Sequence, residues 1–404
     1  MDKPPSVPQS LRALAALFLK LGAISFGGPA AHIALMEDEV VRKRQWMTRQ
    51  QYLDLLGLTN LIPGPNSTEI AVGVGFLRAG LAGLLVAGAS FILPAALITS
   101  AVAWAYVRFG SLPLTASLLA GVKPAVIAVI GIATWRLGKV AARNIWLAAM
   151  GTLALAAFLG KVSPLLILAS GGLLGIVEHG ASKLRESGFA GGAHLSAGLF
   201  QTLGGRSFLP TIILSNLSAV ATTLAPEAKR VPVARLGWFF LKVGATLYGG
   251  GYVLFAFVEQ GLVRDHHWLT QQQVLDAIAI GQFTPGPVLS TATFIGYLIG
   301  GGWGAVMATV AIFLPSFLYV AVLGPILPKV RRSAWMAAFL DAVNVSAVGL
   351  MSGVTVRLAG DGLRSWPMWV IAAGALAVLW RWKTNPAWVV LGGGLAGVVL
   401  AGFR

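Results

Sequence analysis

Two stretches decide the fold: Leu61-Ile62-Pro63-Gly64-Pro65-Asn66-Ser67-Thr68-Glu69 and Phe283-Thr284-Pro285-Gly286-Pro287-Val288-Leu289-Ser290-Thr291. Each sets Pro-Gly-Pro between apolar segments. Proline removes a backbone donor and glycine frees φ, so a helix must stop at each triplet and a new one can start after it. Broken helices at matching positions of two repeats point to a transport site in a membrane protein.

The composition supports a membrane setting. Of 404 residues, 56% are hydrophobic and only 11% charged, with mean hydropathy +0.78. A soluble chain carries about 25% charged residues, and apolar runs of 17 or more residues are the signature of spanning helices. The expected fold class is therefore all-α, a polytopic integral membrane protein. Net charge is +16, read as positive-inside loop charge or as attraction for an anionic substrate. Cysteine is absent, which excludes disulfides and thiolate metal sites. The five histidines form no ligand pattern, so no metal is expected.

Outward from the first break, 49–61 and 66–78 are each too short to cross about 30 Å of hydrocarbon at 1.5 Å per residue. They read as a re-entrant hairpin, with Thr48 and Gln51 as a capping box and Asn66 with Glu69 as another. A first span is expected over 11–36, interrupted at Phe26-Gly27-Gly28-Pro29, and further spans near 81–107, 115–136, 144–160 and 163–178. Residues 181–234 read as a linker whose 208–224 segment lies on or in the membrane. The pattern then restarts at 235–258 and, after the second break, continues with spans near 304–326, 337–357, 366–382 and 386–402.

The restart is a duplication. A shift of 222 superposes the Pro-Gly-Pro triplets and makes 20 of 48 positions identical between 18–65 and 240–287, including Lys20 on Lys242, Glu37 on Glu259 and Asp54 on Asp276. The expected domains are a repeat over 1–180, the linker, and a repeat over 235–404. Basic loops alternate: Arg42, Lys43, Arg44 and Arg49 answer Arg264 beside Asp265, whereas Arg108 answers Lys329, Arg331 and Arg332, and Arg136, Lys139 and Arg143 answer Arg357, Asp361 and Arg364. Equivalent loops of which only one is strongly basic imply inverted repeats, with five crossings and one hairpin in each half.

Candidate chemistry centres on the breaks. New helices at Asn66 and Val288 would present free N–H groups and about half a positive charge each, an anion site if both face inward; the alternative is a plain hairpin turn. Lys20 and Lys242 would supply charge, or would snorkel to the interface. Lys123 is a third cation, matched by Asn344. Gly27-Gly28 and Gly249-Gly250-Gly251 would let backbone approach a ligand, or pack helices closely. Glu69, matched by Thr291, is a proton-coupling candidate or the third residue of its capping box. Glu37, Glu259, Trp46 and Trp268 read as interfacial. No nucleotide-binding motif is present, so secondary transport, driven by an ion gradient or by exchange, is expected, with no enzymatic function and no cofactor.

Phe26-Gly27-Gly28-Pro29, the Trp46-x-Thr48 to Pro63-Gly64-Pro65 run, and the second run from Tyr248-Gly249-Gly250-Gly251 through Trp268-Leu269-Thr270 to Thr284-Pro285-Gly286-Pro287 resemble the chromate ion transporter family in its long, two-repeat form. The resemblance covers nearly the whole chain. It implies export of chromate, a tetrahedral oxyanion, across the cytoplasmic (inner) membrane, giving chromate resistance, with sulfate as a close isostere. Gly251, where the first copy has Pro29, departs from equality of the two half-sites. The substrate-binding set expected on these grounds is Lys20, Gly27, Gly28, Pro63, Gly64, Pro65, Asn66, Ser67, Thr68, Lys242, Gly249, Gly250, Pro285, Gly286, Pro287, Ser290 and Thr291. Partners are the oxyanion and the lipid bilayer, with a homodimer left open and no nucleic acid. An anion channel lined by the same hairpins is the alternative.

Overall fold

The computed structural model describes residues 7–26, 28–110, 113–186, 231–248, 251–323, 333–382 and 384–402. Gly27, Gly249, Gly250 and the 208–224 segment lie outside these residues. The first repeat runs α1 (Val7–Ile24), α2 (Pro29–Glu37) with a π-helical extension (Asp38–Lys43), α3 (Arg49–Thr59), α4 (Asn66–Phe109), α5 (Pro113–Ala141), α6 (Ile145–Leu159) and α7 (Pro164–Glu186). The second runs α8 (Val233–Thr246), α9 (Leu254–Val258) followed by a π-helix (Glu259–Asp265), α10 (Gln271–Phe283), α11 (Thr291–Leu323), α12 (Ala334–Gly362), α13 (Trp366–Arg381) and α14 (Pro386–Gly402). Five of the described helices, α4, α5, α7, α11 and α12, are long and apolar enough to cross a membrane.

The chain reverses four times before its first long crossing, one of these turns lying between the π-helix and α3, where the Tyr52 hydroxyl donates to the Ile33 carbonyl at 2.6 Å. Lys20 Nζ lies 2.9 Å from Glu39 Oε1, whereas one straight helix would part these residues by about 28 Å. The expected single span over 11–36 is therefore corrected to a hairpin. Gly28, at φ +78°, and Pro29 at the start of α2 make the turn, and Leu14, Leu17, Phe18 and Leu21 pack against Met36 and Val40. The twin segment folds likewise, with Phe239 against Gly261.

The Pro-Gly-Pro turn is the third reversal; it lays Leu55 of α3 against Gly73 of α4. The fourth lies inside α4 at Ala79-Gly80, where non-helical backbone folds Val72 onto Gly88. Gly300-Gly301 does the same in α11 and brings the Thr293 and Thr309 hydroxyls within 2.7 Å. Both Thr-x-x-Gln capping boxes form, at Thr48–Gln51 and Thr270–Gln273. The Asn66–Glu69 box does not. Pro65 is the N-cap residue of α4, the Asn66 amide donates to the Asn60 side chain, and Glu69 is fully buried.

The packing of equivalent helices gives the symmetry. In α5 and α12, Ile127 meets Gly362, Gly131 meets Thr355 and Gly138 meets Val348. Residue numbers rise in one helix as they fall in its twin. In α4 and α11, Gly88 abuts Phe317 while Leu84 clusters with Val320, again antiparallel. Equivalent helices that pair antiparallel are related by an axis across the bundle, so the repeats are inverted.

The repeats also interlock. α5 packs on α13 and α14 of the other repeat, and α12 on α6 and α7. Glycines make the close approaches: Gly121 against Gly393 and Gly397, Gly349 against Gly151. Small residues let backbones approach where lipid offers no hydrophobic drive between helices. The result is a six-helix bundle (α5–α7, α12–α14) beside a bundle of hairpins (α1–α4, α8–α11).

Candidate functional site

Each Pro-Gly-Pro tip is held by the opposite repeat. Gly64 N–H donates to the Leu247 carbonyl at 2.8 Å, and Gly286 N–H to the Ser25 carbonyl at 2.8 Å. Positions 25 and 247, like 64 and 286, are twins. Both glycines have positive φ, +146° and +90°. A Cβ on Gly64 would strike Glu69 Oε1 and Ser316 Oγ; one on Gly286 would approach Ala95 and the Gly22 carbonyl. The tips are thus buried crossing points where only glycine fits.

The two halves are not in the same arrangement. α10 packs on α5, α12 and α14. Asp276 of α10 receives the Tyr106 hydroxyl at 2.7 Å and pairs with Lys123 of α5 at 3.4 Å, all within the protein. The twin helix α3 packs on α4. Between α3 and α12 lies a cavity of about 990 Å³. Asn60, Asn66, Arg136, Tyr248, Tyr252 and Asn344 are among its polar lining residues. The ion pair of Arg143 with Asp341, at 3.5 Å, also borders it.

Arg136 is the cation of this cavity. One guanidinium nitrogen donates to the Leu379 carbonyl at 2.9 Å, and among the described residues no carboxylate pairs with it. A guanidinium carries five donors in a fork matched to oxyanions. With amide groups and phenol hydroxyls around it, the cavity offers donors and positive charge to a small anion.

The expected site residues divide. Asn66 lines the cavity, and the Tyr252 hydroxyl lies close over Gly28. Pro63, Gly64 and Pro65, and Pro285, Gly286 and Pro287, form the tips. Ser67, Thr68, Glu69, Ser290 and Thr291 are buried behind them. Among the described residues the Thr68 and Ser290 hydroxyls have no hydrogen-bond partner, the Glu69 carboxylate and the Ser316 hydroxyl meet at the Gly64 tip, and Thr291 donates to the Val288 carbonyl at 2.8 Å. Lys20 and Lys242 are exposed and off the cavity wall, and Lys20 is paired with Glu39. Lys123 is taken by Asp276.

Sequence reading missed Arg136, Tyr248, Tyr252 and Asn60 as wall residues. Arg136 entered it only as a loop charge. A usable signal existed: with the offset of 221 that holds beyond the hairpins, Thr134-x-Arg136-Leu137 repeats as Thr355-x-Arg357-Leu358.

Comparison with known proteins adds three findings. The family model described as chromate transporter matches residues 12–176 and again 234–398. A chromate transport protein of Cupriavidus metallidurans is 32% identical over 96% of this chain and 93% of its own length. One of Pseudomonas aeruginosa is 34% identical over 98% and 93%, and an uncharacterized transporter of Methanocaldococcus jannaschii is 29% identical over 85% and 83%. No solved structure matches.

Proposed function

The chain belongs to the chromate transporter family, and on that premise we propose that it is a secondary transporter carrying chromate out of the cytoplasm across the inner membrane. It is an integral multi-pass membrane protein and a transporter by family. The observation that carries the substrate reading is the cavity at the first hairpin tip, where Arg136 has no carboxylate partner among the described residues and amide and hydroxyl groups share the wall. A tetrahedral dianion suits a forked guanidinium, which bonds two of its oxygens at once. The tip residue Asn66 belongs to this binding set, with Asn60, Tyr248 and Tyr252.

A carrier, rather than a channel, is supported by the sealed second half, where Asp276, Lys123 and Tyr106 fill the place equivalent to the cavity. In the coupling reading, Glu69 carries a proton. Its carboxylate is fully buried, beside the Gly64 tip and the Ser316 hydroxyl, and buried intramembrane carboxylates mark proton paths. Everted membrane vesicles test the whole reading. Labelled chromate should accumulate saturably, collapse with the proton gradient and be reduced by excess sulfate. Accumulation driven by internal sulfate and indifferent to the gradient would replace proton coupling by exchange. No accumulation under any condition would remove the substrate.

A further inference from the structure

The two repeats carry the same ion pair, made in one and broken in the other. Glu259, at the start of the π-helix after α9, is fully buried. Its Oε2 accepts from Arg357 of α12 at 3.0 Å and its Oε1 from Arg264 at 2.6 Å. Arg357 also donates to the Phe158 carbonyl and lies over the Phe158 ring, 4.2 Å from its centroid. This cluster ties the hairpin bundle to the six-helix bundle on the sealed side.

Glu37 is the twin of Glu259, Arg136 of Arg357, and Leu379 of Phe158. The carbonyl contact is kept, since Arg136 donates to Leu379. The carboxylate contact is not. Glu37 pairs instead with the exposed Arg49 at 3.4 Å, and Arg136 faces the cavity.

We infer that Glu37–Arg136 and Glu259–Arg357 are alternating gates: each bridge, when formed, seals its half, and each arginine, when released, becomes the ligand of the transported anion. The argument rests on the transport reading above. Inverted repeats supply the motion, a rocking of one bundle against the other that exchanges their two arrangements. The carboxylate and the substrate oxyanion compete for one guanidinium, so a half seals by this bridge only as its arginine passes the anion on to the arginine released in the other half. After the exchange, Arg136 bonds Glu37, Arg357 turns to a cavity lined by Lys123 and Gln282, and Asp276 releases Lys123.

The chain has no cysteine, so single reporters can be placed without background. Val348, on the cavity wall, and its twin Ile127, buried in the sealed half, each become cysteine in separate proteins. In membranes with intact gates, Val348→Cys should react with an impermeant maleimide from one face and Ile127→Cys should be protected. Adding Arg357→Gln should raise the labelling rate of Ile127→Cys from the opposite face at least about tenfold and slow Val348→Cys reciprocally, as a population shift requires. Arg136→Gln should leave the starting pattern in place. Glu259→Gln, which spares the carbonyl contact of Arg357, should act like Arg357→Gln and serves if that variant does not fold. Unchanged labelling in folded Arg357→Gln or Glu259→Gln protein overturns the gates. The readout needs no chromate, so a wrong substrate would leave it standing, and its failure beside intact chromate flux would sink the gates alone.

Discussion

The Gly64 amide bonds the Leu247 carbonyl at 2.8 Å, across the boundary between the repeats. Neither partner belongs to the repeat of the other, and the twin bond from Gly286 to Ser25 returns the exchange. The breaks are therefore structural crossings as well as helix ends, which makes them the place to begin testing.

Gly64→Ala should lower the thermal unfolding midpoint in detergent and abolish transport. A side chain there meets both a positive φ, which costs about 1–3 kcal/mol, and the Glu69 and Ser316 oxygens. Gly80 provides the control: its φ is +60° but nothing lies within 4 Å of an added Cβ. Gly80→Ala should cost only about 1 kcal/mol of backbone strain. Equal losses in the two variants would mean that the tip is not crowded.

Arg136→Gln should raise the KM for chromate at least about tenfold, the weight of one charge-assisted contact. Arg136→Lys should recover little, because an ammonium cannot match the fork. Arg143→Gln, whose partner Asp341 already engages it, should change KM by less than about threefold. Concentration series of initial uptake decide between these, and an Arg136→Gln transporter of normal KM would remove Arg136 from the binding set.

Lys123→Gln and Asp276→Asn should each destabilise the protein by about 3–5 kcal/mol, since each leaves an unpaired charge within the protein. The Lys123→Met, Asp276→Leu double variant should regain much of that loss, as apolar replacements of buried pairs do. A double-mutant cycle of unfolding midpoints reads the coupling.

Glu69→Gln should abolish accumulation driven by a proton gradient while sparing chromate counterflow between equal pH compartments. Loss of both activities together would assign Glu69 to packing of the tip rather than to coupling.

Glu39 lies in the π-helix after α2, outside the crossing helices. The hydrogen bond from Lys20, then that from Lys43, holds its carboxyl below the ordinary glutamate range. A depressed folded value means stabilisation that is present above the ordinary glutamate pKa and is lost as pH falls through the folded value. Lys20→Gln should therefore lower the unfolding midpoint slightly at pH 7, by no more than about 1 kcal/mol for so exposed a lysine, and the gap should close in acid. A gap that widens in acid would reverse the assignment.

The duplication, the breaks and the inversion were legible in the chain itself. Pro-Gly-Pro cannot continue a helix in any fold, two copies at one offset report one ancestor unit, and loop charge reports which side each loop faces. The reversal at Gly28 was half legible: the glycines and Pro29 marked an interruption, but apolar composition alone cannot tell a bent span from a hairpin.

What only the tertiary structure decided is which of two equal sequences is engaged. Glu37 and Glu259, or Arg136 and Arg357, are the same residues in the same pattern. Sequence assigns them the same role. Packing breaks that tie, because two inverted repeats that interlock leave room for one sealed half beside one open half. The lysines show the same limit from the other side. A cation inside an apolar helix reads as a ligand site, but Lys20 finds Glu39, Lys123 finds Asp276, and the arginine with no carboxylate partner among the described residues lay among the loop charges.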